Sequence, residues 1–262
     1  MQRKLLVPLL LISFLLIAAT LPTKKPIRWN FNDYTKLTYD YRQSISTDMS
    51  FMGGKQQSLM TAKLLVKIKD KEFADVLFTD IQSIGMSKDS LGNYVATDTT
   101  SMPNTILFQD LKPDGTIDGH IQQSSVMLAR TLFPITNKKM KVGDTVGLKM
   151  SMPFNIFGSA INVKGFNHVT YVGSENGFEK LNTVIDVSDY TIPEEINQDY
   201  LCYLKGNSRF SFDADKGLFK EGTINLNLGM GTTITDSTMV KKTTNMMMDM
   251  DTEINFKLMK AE

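Results

Sequence analysis

Between residues 37 and 51 apolar and polar side chains take turns along the chain. Leu37, Tyr39, Tyr41, Ile45, Met49 and Phe51 share one parity with Gln43 and Thr47, and Thr38, Asp40, Arg42, Ser44, Ser46, Asp48 and Ser50 share the other. Successive strand side chains point to opposite faces, so the pattern predicts a long strand with one buried and one wet face. Gly53-Gly54 supplies the positive-φ pair of a tight turn. The return run buries Met60, Ala62, Leu64, Val66 and Ile68, and a third run from Phe73 to Ile84 continues an antiparallel meander.

Turn chemistry marks further hairpins. Lys112-Pro113-Asp114-Gly115 joins Thr105–Gln109 to Thr116–Gly119, with proline presetting φ and glycine taking the strained position. Gly173 to Gly177 joins Ile161–Val172 to Phe178–Val187, and Asp213 to Gly217 joins Arg209–Phe212 to a strand running from Leu218 toward Leu228. A last strand covers Val240 to Leu258. One segment departs from period two. Gln122 to Phe133 places Ser125, Leu128 and Leu132 on one side with Val126, Ala129 and Phe133 beside them, the spacing of a short helix stopped by Pro134. The expected fold is mainly β: an antiparallel meander forming a large curved sheet or half-barrel in two halves, 21–135 and 136–262, with one short helix near 122–133. One continuous domain and two modules both fit this length.

The first 20 residues read differently. Met1-Gln2-Arg3-Lys4 is a short basic stretch, Leu5 to Ala19 is almost unbroken apolar sequence, and Ala18, Ala19 and Thr20 precede Pro22. Basic, apolar, then small is the order of a secretory signal peptide. The apolar run falls short of the roughly 20 residues of a spanning helix, and Pro8 interrupts it. An uncleaved membrane anchor through residues 5–21 is the rival reading. Either way the chain is expected to be exported, periplasmic or extracellular, touching the membrane only through this segment. Taking Arg3 and Lys4 from the 29 basic residues leaves 27 against 28 acidic ones, so the remainder lacks the positive excess that captures nucleic acid. The lone Cys202 excludes an internal disulfide, and there is no Asn-x-Ser/Thr acceptor. Folding therefore rests on apolar burial.

Leu132-Phe133-Pro134 followed by Val142-Gly143-Asp144-Thr145 resembles a segment of uncharacterised families of exported bacterial β-rich proteins, in which a helix ends at a Phe-Pro step and a Gly-Asp turn opens the second half. The similarity spans about 15 residues, together with a general strand layout. The proline that the pattern has after Pro134, and its aromatic where Val146 stands, are absent. The expected architecture is also similar to periplasmic carriers that hold the lipid chain of a lipoprotein in a half-barrel. These resemblances imply a fold and a location, and no activity.

Methionine, at 17 residues, is conspicuous, and Met246-Met247-Met248-Asp249-Met250 invites a thioether site for copper(I). Alternation gives the simpler account. Met246, Met248 and Met250 continue the apolar parity of Thr252, Ile254, Phe256 and Leu258, leaving Met247 across the sheet. A metal site would need methionine or histidine converging from neighbouring strands. Asp249, Asp251 and Glu253, about 7 Å apart along the other face, suit a hard cation or a solvated face matched by lysines. Asp213-Ala214-Asp215-Lys216-Gly217 lacks the later ligands of a calcium loop and reads as a turn. Neither Gly158-Ser159-Ala160 nor Gly173-Ser174-Glu175 completes a nucleophile elbow. His120 and His168 stand 48 positions apart, Cys202 has no charged neighbour, and Trp29 is expected to cap the open end of the barrel.

No catalytic residue, metal site or cofactor is expected. The reading is a non-enzymatic envelope protein that binds an apolar small molecule or lipid chain on a curved sheet. Tyr39, Tyr41, Met60, Met246, Met248, Met250 and Phe256 would line the ligand. The alternative is a structural or assembly protein that pairs with an envelope partner through exposed strand edges. An unrecognised enzyme would instead bring His120 or His168 within reach of a carboxylate in one cleft.

Overall fold

The alternating segments pair into one antiparallel sheet that does not close. A computed structural model describes residues 26–50, 54–117, 123–156, 159–192, 199–236 and 242–262. Its strands are β1 (Lys36–Met49), β2 (Gly54–Ile68), β3 (Ala74–Lys88), β4 (Tyr94–Met102), β5 (Thr105–Leu111), β6 (Thr145–Ile156), β7 (Ser159–Glu175), β8 (Phe178–Asp189), β9 (Asp199–Asp213), β10 (Leu218–Asp236) and β11 (Lys242–Ala261). Among the described residues one helix, α1, spans Gln123–Leu132. Its end is set by Pro134, which can neither donate to the helix ladder nor let its predecessor stay helical. Residues 1–25, with the whole export segment, lie outside the described residues, as do Phe51, Gly53, His120 and Val240.

The strand order is β4-β3-β2-β1-β11-β10-β9-β8-β7-β6, with β5 also against β3. β1 pairs along its length with β2 on one side and β11 on the other. The first and last strands are thus neighbours, and the two sequence halves share one sheet. β4 and β5 run in line along β3, interrupted at Pro103-Asn104. A proline belongs at such an edge because no neighbouring strand needs its missing donor. The other edge is β6, which pairs only with β7.

Consecutive strands fail to pair at β4–β5, which lie in line on β3, and at β5–β6, the two opposite edges, and α1 lies in the second connection. At its start, Lys112-Pro113-Asp114-Gly115 makes the expected turn: the Gly115 amide donates to the Lys112 carbonyl at 2.9 Å, and Gly115 takes φ +81°. A Cβ there would sit 2.6 Å from Ile135, so glycine is required by space as well as by conformation. Residues 129 and 131–136, with Met140, are buried as the chain returns to β6. This crossing segment covers the inner face of the sheet.

What it covers is an aromatic cluster. Phe133, 2% exposed, is surrounded by Trp29, Tyr39, Phe219 and Phe256, with ring centroids 5.1 to 6.1 Å away. Such offset and edge-on pairs each add about 0.5–1.5 kcal/mol beyond area burial. Tyr39 is fully buried, and its hydroxyl donates to the Phe219 carbonyl at 3.0 Å, which satisfies the polar tip. Burial pushes the Tyr39 and Tyr41 hydroxyls above the ordinary phenol pKa. Trp29 is 3% exposed and belongs to this core, with its main-chain amide bonded to the Pro113 carbonyl at 2.9 Å.

Candidate functional site

Register aligns the inner-face residues of neighbouring strands into rows that run across the sheet. In one row Tyr41 faces Phe256, Phe256 faces Gly222, and Gly222 faces Phe210. Every member is buried. Six residues further along β1, Thr47, Met250 and Leu228 form a row that is only half-buried, continuing into buried Leu204 on β9. The next row, Met49, Met248 and Met230, is also half-buried and ends at buried Cys202. Ile45, Met60 and Leu226 continue the half-buried region.

The inner face is therefore closed at one end and open at one corner. The closed end is filled by the aromatic cluster. On the β6–β9 side Met150, Met152, Ile161, Val163, Ile185 and Val187 belong to a second core, and Leu226, Leu228 and Met230 border it as partly buried residues. The corner left over belongs to β1, β2, β10 and β11, and its exposed surface is built largely from methionine and leucine. Unbranched thioether side chains adapt to irregular apolar partners.

Between the two cores runs a polar seam. Thr183 on β8 and Ser208 on β9 are direct register partners, and Asn167 stands near them on β7. All three are buried. The Asn167 amide donates to the Arg130 carbonyl at 2.8 Å, tying the end of α1 to the sheet. The Asn167 side-chain carbonyl and the Thr183 and Ser208 hydroxyls have no protein partner.

The residues expected to line a ligand divide between these regions. Tyr39, Tyr41 and Phe256 lie in the closed aromatic end, at 0, 4 and 3% exposure. Met60, Met248 and Met250 lie in the open corner. Met246 pairs with Thr232 in β11, and its side chain lies outside the described residues. Ile45, Met49, Leu226, Leu228 and Met230 complete the corner; the run Ile224, Leu226, Leu228, Met230 carried the period-two signal that identifies the last three.

The wet face carries polar grooves. One of about 680 Å³ is bordered by Arg42, Lys180, Arg209, Glu221 and Lys257, and one of about 650 Å³ by Asn207, Asn225, Asn227 and Asp251. Asp249, Asp251 and Glu253 stand opposite Asp48, Ser46 and Ser44 on β1 and Gly229, Asn227 and Asn225 on β10, so lysine does not match the acidic row in register. The Asn227 amide serves instead, donating to Asp251 at 2.9 Å and also to Asp249. Among the described residues no cluster of His, Cys, Asp and Glu is placed to hold a metal.

His168 is exposed, lies beside Phe166 with centroids 5.5 Å apart, and lines a groove of about 870 Å³ where α1 meets β6. Asp186 and Asp189 border the same groove, but no hydrogen bond or ion pair among the described residues joins them to His168. Cys202 is 1% exposed, and burial pushes its thiol pKa up to about 12, so it stays protonated at neutral pH and is a poor nucleophile. No protein-family model matches the chain, and no curated protein shows significant similarity to it.

Proposed function

We propose that this chain is an exported, non-enzymatic envelope protein that holds an apolar ligand or lipid chain on the open corner of its sheet. The observation that carries the reading is the half-buried apolar surface of Ile45, Met60, Leu226, Leu228, Met230, Met248 and Met250, beside the buried aromatic end of the inner face. A folded chain gains by covering such surface, at about 25 cal/mol per Å² removed from water. The closed aromatic end supplies a rigid floor, and the methionines supply walls that fit chains of differing shape. Export belongs to the same proposal and rests on the basic, apolar and small order of residues 1–20.

Native mass spectrometry of the protein purified from its own envelope, followed by organic extraction, tests the reading. The expected result is a mass above that of the bare chain at low collision energy, with a lipid recovered in the extract. A bare mass and an empty extract would count against it.

One observation favours the alternative of assembly through a strand edge. β4 is exposed at eight of its nine positions, and its outer side pairs with no strand among the described residues. A bare mass together with a partner cross-linked in the envelope to residues of β4 would favour that reading.

A further inference from the structure

Four sulfur-bearing side chains stand in one row across four adjacent strands. Met49 on β1 is the register partner of Met248 on β11, Met248 of Met230 on β10, and Met230 of Cys202 on β9. Directly opposite residues project from the same face with Cβ atoms about 4.5–5.5 Å apart. A methionine carries its sulfur on a flexible arm, so thioethers on three neighbouring strands can turn toward one point between them. Met49, Met230 and Met248 are half-buried and open to solvent, whereas Cys202 closes the row from within.

We propose that Met49, Met230 and Met248 form a binding site for copper(I). Neutral thioethers are soft donors, and soft donors select copper(I) over the hard cations that seek oxygen. Thioethers carry no proton to lose, so capture of the ion by the methionines releases none. Metal binding through thiolates, by contrast, competes with protons. The same strand ends carry Asp48, Asp249 and Asp251 on the opposite face, bordering a groove of about 310 Å³ with Met247. Three carboxylates against Lys55 in that groove give a negative field that raises the local concentration of a cation. The sulfur row shares its corner with the proposed apolar seat but does not rest on that reading.

The test uses the purified full-length chain, titrated without oxygen against the copper(I) complex of bicinchoninate. The unaltered protein is expected to draw one equivalent of copper(I) from the chelator. A triple variant, Met49→Leu, Met230→Leu and Met248→Leu, keeps apolar side chains of similar volume and removes the donors. It is expected to bind copper(I) at least about tenfold more weakly, the lower bound set by the loss of a mere outer-sphere partner of a metal. Met102→Leu, on distant β4, is expected to change nothing. If the triple variant does not fold, methyl spectra of the unaltered protein labelled at methionine decide, because copper(I) must shift the Met49, Met230 and Met248 signals. Failure to take copper from the chelator, equal affinity in the folded triple variant, or shifts confined to other methionines would overturn the site. A lipid still carried by the triple variant would leave the apolar seat standing whatever the copper result.

Discussion

Phe133→Ala is expected to lower the unfolding free energy by about 3–5 kcal/mol, the range for deleting a buried phenylalanine without collapse of the space. The ring is 2% exposed and sits among Trp29, Tyr39, Phe219 and Phe256. These neighbours come from the N-terminal arm and from strands β1, β10 and β11, all braced by the same sheet, so none is free to move into the void. Phe133 also ends α1, and its amide donates to the Ala129 carbonyl at 2.8 Å. Loss of the ring therefore loosens the segment that covers the inner face. Urea denaturation followed by circular dichroism checks this: the midpoint should fall with little change in slope. Phe166→Ala, at a ring 41% exposed on the wet face, should stay within about 0.5 kcal/mol of the parent. Equal midpoints for the two variants would remove Phe133 from its central place.

The second large effect comes from adding one carbon. Gly165→Ala is expected to destabilise the protein by about 1–3 kcal/mol or more, the usual range for overpacking. The register of β7 against β8 shifts between Lys164 and Gly165, a bulge that brings the strands close. A Cβ at Gly165 would lie 2.0 Å from the Asp186 carbonyl oxygen and 2.6 Å from the Val187 Cα. Both atoms are backbone, so no side-chain rotation relieves the clash, and β7 and β8 must part. Amide exchange should speed up locally across Lys164–Thr170 and Thr183–Asp189, ahead of any change in β1 and β2. Unchanged protection there, with an unchanged urea midpoint, would show that the bulge accommodates the methyl group.

Much of the sheet was legible from period two alone. Leu37, Tyr39 and Tyr41 face inward as their parity predicts, and Leu64 and Val66 answer them from β2. The helix was found because Pro134 and a change of period coincide. β4 has no alternation to read: Val95, Ala96, Thr97 and Asp98 are all exposed, since an edge strand beyond the core buries neither face. β6 also carried the period-two signal, in Val146, Leu148, Met150, Met152 and Phe154, although the strands read from turn chemistry resumed only at Ile161.

The candidate site was legible only by face. Alternation tells which side of a strand a residue takes, and says nothing about what covers that side. Tyr39, Tyr41 and Phe256 share a face with Met248 and Met250, yet Tyr39 and Phe256 lie against Phe133 of the crossing segment and Tyr41 against Phe78 of β3. That cover depends on β1 pairing with β11, a contact between the two ends of the sequence, and no local pattern encodes it. The sulfur row depends on the same long-range register. Met230 and Met248 face each other across the β10–β11 hairpin, and Met49 joins them only through the long-range pairing of β1 with β11.

Methyl spectra of the protein labelled at methionine, recorded as dodecanoate is added, test the open corner most directly. The Met60, Met230, Met248 and Met250 methyls should shift and saturate together, while Met140, Met150 and Met152, at 4, 3 and 8% exposure, hold still. Absence of any shift up to the solubility of the probe, or shifts confined to Met102 and Met247 outside the corner, would contradict the account.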